Sequence, residues 1–329
     1  MDDNYHIFSD GRLERANDTL RLVTEDDKNY IPVENAEAVF LHGQIDFNTR
    51  VVSFLNDEGV ALHVFGWNDY YAGSVMPERG QMSGNTVVEQ VRTHDDSSAR
   101  LEVATAFIRG SIHNMRANAT YYAGRDYDVE WIAEDLDNCR ERLGTVDRVD
   151  EAMGVEASAR RSYYQLFDEV LPDPFVFDRR KYDPPENETN SLISFGNSLV
   201  YASTVSAIRA TALDPTVSFL HEPGERRYSL ALDIADVFKP LLADRIIFRT
   251  VNRGQLGVDD FESDLNSCLL TESGRKTYSK EFEKTLETTV EHPKLNRKVS
   301  YQYLLRLEAY KLKKHVLTGE EYVPFERWW

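Results

Sequence analysis

Pro77-Glu78-Arg79-Gly80-Gln81-Met82-Ser83-Gly84-Asn85 is where this 329-residue chain changes texture, and the reading of that stretch decides the fold. A proline followed by glycine, serine and methionine has the composition of a linker. Upstream, short β-branched and aromatic runs at 6–8, 19–23, 30–33, 38–41, 60–65 and 70–75 are punctuated by Asp10-Gly11, Asn17-Asp18, His42-Gly43, Glu58-Gly59 and Asn68-Asp69, the pattern of strands and turns. One helix interrupts them: Phe47, Val51, Val52, Phe54 and Leu55 recur at near-helical spacing, with Asn48 or Thr49 as cap and Gly59 as stop.

Downstream the chain reads helical. Leu101, Ala104, Phe107, Ile108 and Ile112 mark a helix capped within 96–98, and 129–143, 146–171, 190–213, 229–239, 241–250 and 299–317 follow, with Pro240 separating two of them. Strands followed by helices, rather than alternating with them, exclude a doubly wound parallel sheet. The expected class is α+β: a small N-terminal β-rich domain over 1–80, a linker over 81–88 and a larger all-α domain over 89–329. A length of 329 residues, on a prior of roughly 150 per domain, agrees with two domains.

Composition narrows the possibilities. At 41% hydrophobic residues the chain can build a core, which excludes disorder. Cys139 and Cys268 are the only cysteines, so no disulfide scaffold exists, and with an acidic N-terminus and no apolar run near ~20 residues the expectation is a cytoplasmic protein with no membrane span. The 38 Lys+Arg against 56 Asp+Glu leave a net charge of −18, which argues against a phosphate-rich partner. Yet only 11 of those cations are Lys, and residues 51–150 contain none. Acidic load with Arg in place of Lys is the pattern of a high-salt cytoplasm; an ordinary acidic protein is the alternative.

Nucleophile elbows, Walker A loops, dinucleotide fingerprints and H-E-x-x-H zinc motifs are missing. Three segments stand out instead. Glu156 lies among Gly154, Ala157 and Ala159, on a helix face another element can approach, with Arg160 at i+4; alone, that pair reads as a surface ion pair. His221 closes the apolar Phe219-Leu220 and precedes a turn at Pro223-Gly224, where a single histidine is more often structural. Asp233 and Asp236 are spaced i, i+3 on an otherwise apolar helix, so both carboxylates share a face, a costly arrangement that a divalent cation would relieve. Glu, His and Asp form a mixed oxygen and nitrogen donor set suited to Mg²⁺ or Mn²⁺ rather than zinc.

In order and wording these segments resemble the CRISPR-associated endonuclease/integrase family, the catalytic subunit of the spacer-acquisition complex. The family's Glu, Ala-Arg and aromatic pattern is met by Glu156, Ala159, Arg160, Tyr163 and Tyr164. Its Asn, Leu-x-aromatic-Gly segment is met by Asn190, Leu192, Phe195 and Gly196, and its Leu-Asp-Pro to Phe-Leu-His segment by Leu213, Asp214, Pro215, Phe219, Leu220 and His221. Leu230, Leu232, Asp233, Asp236, Phe238 and Pro240 match the last, and Asn114 sits where a helical Asn is expected. Departures are Lys239 for the usual Arg, and Ala157 for the Gly after the catalytic Glu.

The resemblance implies that Glu156, His221 and Asp236 bind Mg²⁺ or Mn²⁺, with Asp233 beside them either supporting the ligands from behind or binding conditionally, so that all four are catalytic. It further implies integration of short DNA duplexes into a CRISPR repeat array for antiviral defence. A β-domain homodimer and a small ferredoxin-like partner subunit, assembled as a hetero-hexamer, come with it. A mobile-element integrase, a general metal-dependent nuclease, or a silent DNA-binding scaffold are the competing readings. DNA binding by so acidic a chain requires uneven charge, with Arg160-Arg161, Arg179-Arg180-Lys181, Arg226-Arg227 and Lys311 to Lys314 along the DNA path and the acidic runs at 25–27, 95–96 and 259–260 facing solvent.

Overall fold

A computed structural model describes residues 3–34, 36–66, 68–78, 82–181, 184–225, 227–264 and 267–328. Eight strands and one helix form the N-terminal part: β1 (Asp3–Ile7), β2 (Gly11–Ala16), β3 (Thr19–Val23), β4 (Lys28–Pro32), β5 (Ala36–Leu41), β6 (Ile45–Phe47), α1 (Thr49–Glu58), β7 (Ala61–Phe65) and β8 (Tyr71–Val75). They make two four-stranded sheets, ordered β1-β5-β7-β8 and β4-β3-β2-β6. Helix α1 starts and stops as its sequence dictates. The Asn48 side chain accepts from Arg50 N, and Gly59 takes φ 76°, a left-handed value that glycine adopts without strain.

In the first sheet β1 and β7 both run parallel to β5, while β8 is antiparallel to β7. Side chains alternate across a strand, so β5 serves two cores. Val39 and Leu41 join Leu13, Leu20 and Phe54 inside the β-rich part. Ala38 and Phe40 point the other way and enter the same core as Phe107, Phe167 and Phe195 of the helical body. The near-continuous apolar run at 38–41 is the signature of a strand covered on both faces. His63 of β7 donates to or accepts from Ser206 Oγ at 2.8 Å, and burial pushes its pKa down to about 3, so it crosses this interface uncharged. A hydrogen bond between His6 Nε2 and Glu283 Oε1 (2.8 Å) and an ion pair between Asp69 and Arg275 (2.9 Å) add polar ties between the two parts.

The helical body comprises α2 (Gly84–Asp95), α3 (Ser97–Ala123), α4 (Glu130–Arg142), α5 (Val149–Val170), α6 (Glu188–Arg209), α7 (Ser229–Lys239), α8 (Arg245–Asn252), α9 (Glu272–Glu287) and α10 (Tyr301–Thr318). The α+β class expected from sequence stands. Two details differ. The second part is not all-helical, because β9 (Phe261–Asp264) pairs with β10 (Ser267–Leu270), and β11 (Thr289–His292) with β12 (Arg297–Ser300), in two short antiparallel ladders. Four-residue strands carry too little periodicity to be read against helical neighbours. The range 81–88 expected as linker begins at Gln81, which lies with Arg79 and Gly80 outside the described residues, and from Gly84 onward the chain is already helical. Ser83 caps that helix by accepting from Thr86 N, and Thr86 and Gln90 are buried.

Because β5 is shared, the β-rich part is welded to the helical body rather than hung on it. Phe40→Ala should therefore cost about 3–5 kcal/mol and lower the unfolding midpoint of the whole chain in a single transition. Two separated transitions in a denaturant titration, with the helical one unmoved, would show the parts to be independent.

Candidate metal and phosphate site

Helix α7 organises the site, and Asp233 on it does the organising. Its Oδ2 accepts from the backbone N–H groups of Phe219 (2.8 Å) and Leu220 (3.0 Å), and its Oδ1 from the N–H of His221 (3.0 Å). The His221 ring nitrogen Nδ1 stands 2.8 Å from the same Oδ1. Asp233, expected beside the metal ligands in support of them or as a conditional ligand, is a fully buried carboxylate held by a nest of backbone donors. Four donors for one carboxylate fix both the 219–221 segment and the His221 tautomer, with Nδ1 protonated toward Asp233 and Nε2 left to face the site.

That segment is braced from behind by α2. Gln90 Nε2 donates to Asp214 O (2.9 Å) and Val217 O (2.7 Å), its Oε1 accepts from Asp214 N (2.9 Å), and His94 Nδ1 lies 2.6 Å from Ser218 O. Arg100 of α3 adds a bond from Nε to Phe219 O at 2.9 Å. None of these supports was read from the sequence. The available signal was Ser83 as a cap three residues before Thr86, which the linker reading passed over.

The C-terminal end of α7 is equally determined. Pro240 lacks the N–H that would continue the ladder, and 240–244 widen into one π-helical turn. Carbonyls disturbed there find side-chain donors: Asn114 Nδ2 on Val237 O (2.8 Å), Asn118 Nδ2 on Pro240 O (2.8 Å), and the Tyr278 hydroxyl on Ala243 O (3.3 Å). Asn114 thus acts on the fold, not on substrate. Gly196 of α6 makes room for this turn, since a Cβ there would stand 2.1 Å from Tyr278 Oη and 3.1 Å from Ala243 Cβ.

Asp236, one turn after Asp233, reaches the cavity with Glu156 of α5 and His221. The three line a single depression of about 730 Å³. Arg160, the i+4 neighbour of Glu156, is not the surface partner its spacing suggested. Its Nε bonds Glu156 Oε1 at 2.7 Å, and its Nη2 lies 3.0 Å from Asp236 Oδ1, too bent for a hydrogen bond. Lys239 Nζ takes the same oxygen at 2.5 Å. Oδ2 of Asp236 is 3.9 Å from His221 Nε2. Burial pushes Asp236 up, but Arg160, Lys239 and His221 outweigh it and hold the carboxyl at about 2. Burial pulls His221 down, and the bond to Asp233 with the charges of Asp233, Asp236 and Glu156 reverses this, leaving the imidazole more basic than usual.

Among the described residues no three His, Cys, Asp or Glu side chains are already gathered at metal-holding distances. Arg160 bridges Glu156 and Asp236, and Lys239 is paired with Asp236. The donor set nevertheless fits a hard divalent ion. Two carboxylates and an imidazole nitrogen whose partner nitrogen is tied to a carboxylate meet in one cavity, and Asp236 Oδ2 with His221 Nε2 offers one open edge.

The same cavity is lined by Arg161, Arg179 and Arg180 in addition to Arg160 and Lys239, five cations against the carboxylates of Glu156, Asp178 and Asp236. Asn190 builds that wall. Its Oδ1 accepts from Lys181 N and Arg180 Nη1 (both 2.9 Å), and its Nδ2 donates to Arg179 O (2.9 Å). The other basic runs do not join it. Lys181 pairs with Glu186, Arg227 Nη2 donates to Glu222 O, Arg226 lies outside the described residues, and Lys311 and Lys314 pair with Glu308 and Glu320 around a separate groove. Residues 25–27 and 95–96 are exposed, as expected, while Asp260 is half-buried and caps the turn at Gly257.

Carboxylates and an imidazole thus share one cavity with four guanidinium groups and an ammonium. The model for CRISPR associated protein Cas1 matches residues 5–284. The CRISPR-associated endonuclease Cas1 of Haloferax volcanii is 55% identical over 327 residues, 99% of each chain. A Cas1 structure from Thermotoga maritima shares 32% identity and a TM-score of 0.87, over 98% of this chain and all of that one. A casposase bound to integration product superposes with a TM-score of 0.86 over 99% of this chain and 93% of its own, at 20% identity, which shows a common fold. This chain belongs to the Cas1 family of CRISPR-associated proteins.

Behind the cavity lies Asp244, buried in the π-helical turn, whose pKa burial raises to about 7 against the opposing charge of Arg160 and a hydrogen bond from Tyr163. The folded state therefore binds more protons than the unfolded one between pH 4 and 7, so this group's stabilisation is complete at acid pH and lost as pH rises through 7. Asp244→Asn, uncharged at any pH, should raise the melting temperature clearly more at pH 8 than at pH 5. Equal effects at both pH values would remove Asp244 from the titration.

Proposed function

We propose that the protein is the DNA integrase of CRISPR adaptation, joining short duplexes to a repeat array by attack of a DNA 3′-hydroxyl on a phosphodiester. The carrying observation is the placement of Glu156, His221 and Asp236 around one cation-walled cavity, with His221 Nε2 presented by the Asp233 clamp. Glu156, His221 and Asp236 would hold Mg²⁺ or Mn²⁺, which supplies Lewis acidity toward a phosphodiester oxygen when bound. Arg161, Arg179 and Arg180 bind and orient the nucleic-acid backbone in the cavity. Transesterification needs no covalent protein intermediate, in keeping with a cavity lined by carboxylate, imidazole and guanidinium groups rather than a nucleophile and its base.

Asp233 acts as a positioning residue and makes no direct contact in this scheme. His221 serves as a ligand and not as a general acid, since Nδ1 is engaged and Nε2 is the nitrogen a metal would take. A homodimer, a small ferredoxin-like partner subunit and a cytoplasmic site of action follow from the family resemblance, and no helix among the described residues is long and apolar enough to cross a membrane. Arginine-rich acidity and the Haloferax relative support a high-salt setting.

His221→Ala or Asp236→Ala should reduce strand transfer of a 3′-hydroxyl duplex into supercoiled repeat DNA, with Mn²⁺ or Mg²⁺ and the partner subunit present, by about a hundredfold or more. Undiminished integration by either folded variant would refute the site assignment. Equal insertion into plasmids with and without the repeat would favour the general nuclease or mobile-element reading.

A further inference from the structure

Two side chains in the cavity, Arg160 and Lys239, have no part in the scheme above, yet both contact the carboxylates assigned to the metal. Asp236 Oδ1 is shared by Lys239 Nζ at 2.5 Å and Arg160 Nη2 at 3.0 Å, while Arg160 Nε is held by Glu156 Oε1 at 2.7 Å. Two carboxylates are thus balanced by two cations, and this part of the site is neutral as it stands. A hard divalent ion approaches carboxylate oxygens to roughly 2–2.6 Å, the distance at which the Lys239 ammonium already sits. An ion bound at the open Oδ2 edge of Asp236 would stand close to the Lys239 ammonium and the Arg160 guanidinium on Oδ1, so their charges oppose its uptake unless one of them moves.

The geometry points to Lys239 as the one that moves. Arg160 is anchored by its bond to Glu156 and by planarity, whereas Lys239 is a point charge on a four-carbon stem at the last residue of α7, lining the cavity. Its departure brings the ammonium into a space already faced by Arg161, Arg179 and Arg180. Uptake of a divalent ion then leaves the site with two uncompensated positive charges, which the phosphates of a DNA backbone would neutralise.

We propose that Lys239 is an internal counter-ion that competes with the divalent metal for Asp236 and, once displaced, meets a backbone phosphate, so that metal and DNA bind with positive coupling. This inference rests on the reading of Glu156, His221 and Asp236 as the metal ligands. In the absence of DNA the site closes on its own cations; a phosphodiester opens it. The metal-loaded state is thereby confined to the DNA complex.

The test is binding, not turnover. Mn²⁺ is titrated calorimetrically into the full chain in high KCl, with and without a saturating 3′-hydroxyl DNA duplex. In the wild-type protein the duplex should tighten Mn²⁺ affinity about tenfold or more. Lys239→Met, which keeps the stem and removes the charge, should bind Mn²⁺ about tenfold more tightly than wild type without DNA and show a coupling ratio near one. Lys239→Gln repeats the measurement should the methionine variant fail to fold, with circular dichroism melts confirming either variant. Folded variants that bind Mn²⁺ no more tightly than wild type without DNA, or a wild-type affinity indifferent to the duplex, would overturn the proposal. Asp236→Asn separates the two levels. Should it bind Mn²⁺ as wild type does, the ligand assignment itself falls; if it loses Mn²⁺ while the Lys239 variants leave the coupling unchanged, only the counter-ion role falls.

Discussion

Everything in the candidate site is hung on the Asp233 carboxylate. It lies fully buried in an apolar helix, a placement that would be prohibitive for a bare charge, and it is stable there because three consecutive backbone N–H groups and one imidazole N–H converge on it. Desolvation and hydrogen bonding are two sides of one constraint. The carboxylate needs those donors, and the 219–221 segment, which forms no helix or strand, needs an acceptor to hold its shape. From that exchange follow the position of His221, the nitrogen it presents, and its distance to Asp236 one turn further along α7.

The rest of the body serves to keep α7 and that segment in register. Helix α2 holds the segment from one side through Gln90 and His94, and α3 supplies Arg100, Asn114 and Asn118 along its length. The chain end returns as well. Phe325 stacks on Phe238 of α7 with ring centroids 5.1 Å apart, and its N–H is taken by the buried Glu308 of α10. Side chains of α3 and the C-terminal tail thus bear directly on a helix of 11 residues, while α2 and α10 hold the segments packed beside it, so the carboxylates on that helix are fixed in place.

Much of this was legible in the sequence, and the boundary between what was and was not is physical. Helix α1 with its Asn48 cap and Gly59 stop, α3 with Asp96, and the α7 to Pro240 junction all follow from local rules, and local rules are written in the chain. Glu156, His221 and Asp236 were identified from residue type and spacing together with family resemblance, and they do line one cavity. Asp233 was expected beside the ligands, supporting them or binding conditionally; the backbone N–H groups and the His221 ring that engage it are partners that i, i+3 spacing does not reveal, since spacing fixes only the face a carboxylate leaves from. Helix α2 was lost to a stretch of Gly, Ser and Met whose composition suits a linker and a capped helix start equally. Arg160 could not be separated from a surface ion pair, since burial is a property of the whole fold.

The net charge of −18 is the remaining point on which sequence and structure must be reconciled. Read as an average it opposes any polyanionic partner; in space it is divided. The exposed acidic runs at 25–27 and 95–96 lie outside a cavity whose wall carries five cations, two of them paired with internal carboxylates. In concentrated salt the Debye length falls to about 3 Å at 1 M, so distant acidic residues contribute little repulsion to a phosphate within the cavity, while contact pairs there remain. Short range is what matters under such screening. Charges in contact outlast such screening, which is why Lys239 at 2.5 Å from Asp236 weighs more on this site than the sign of the whole molecule.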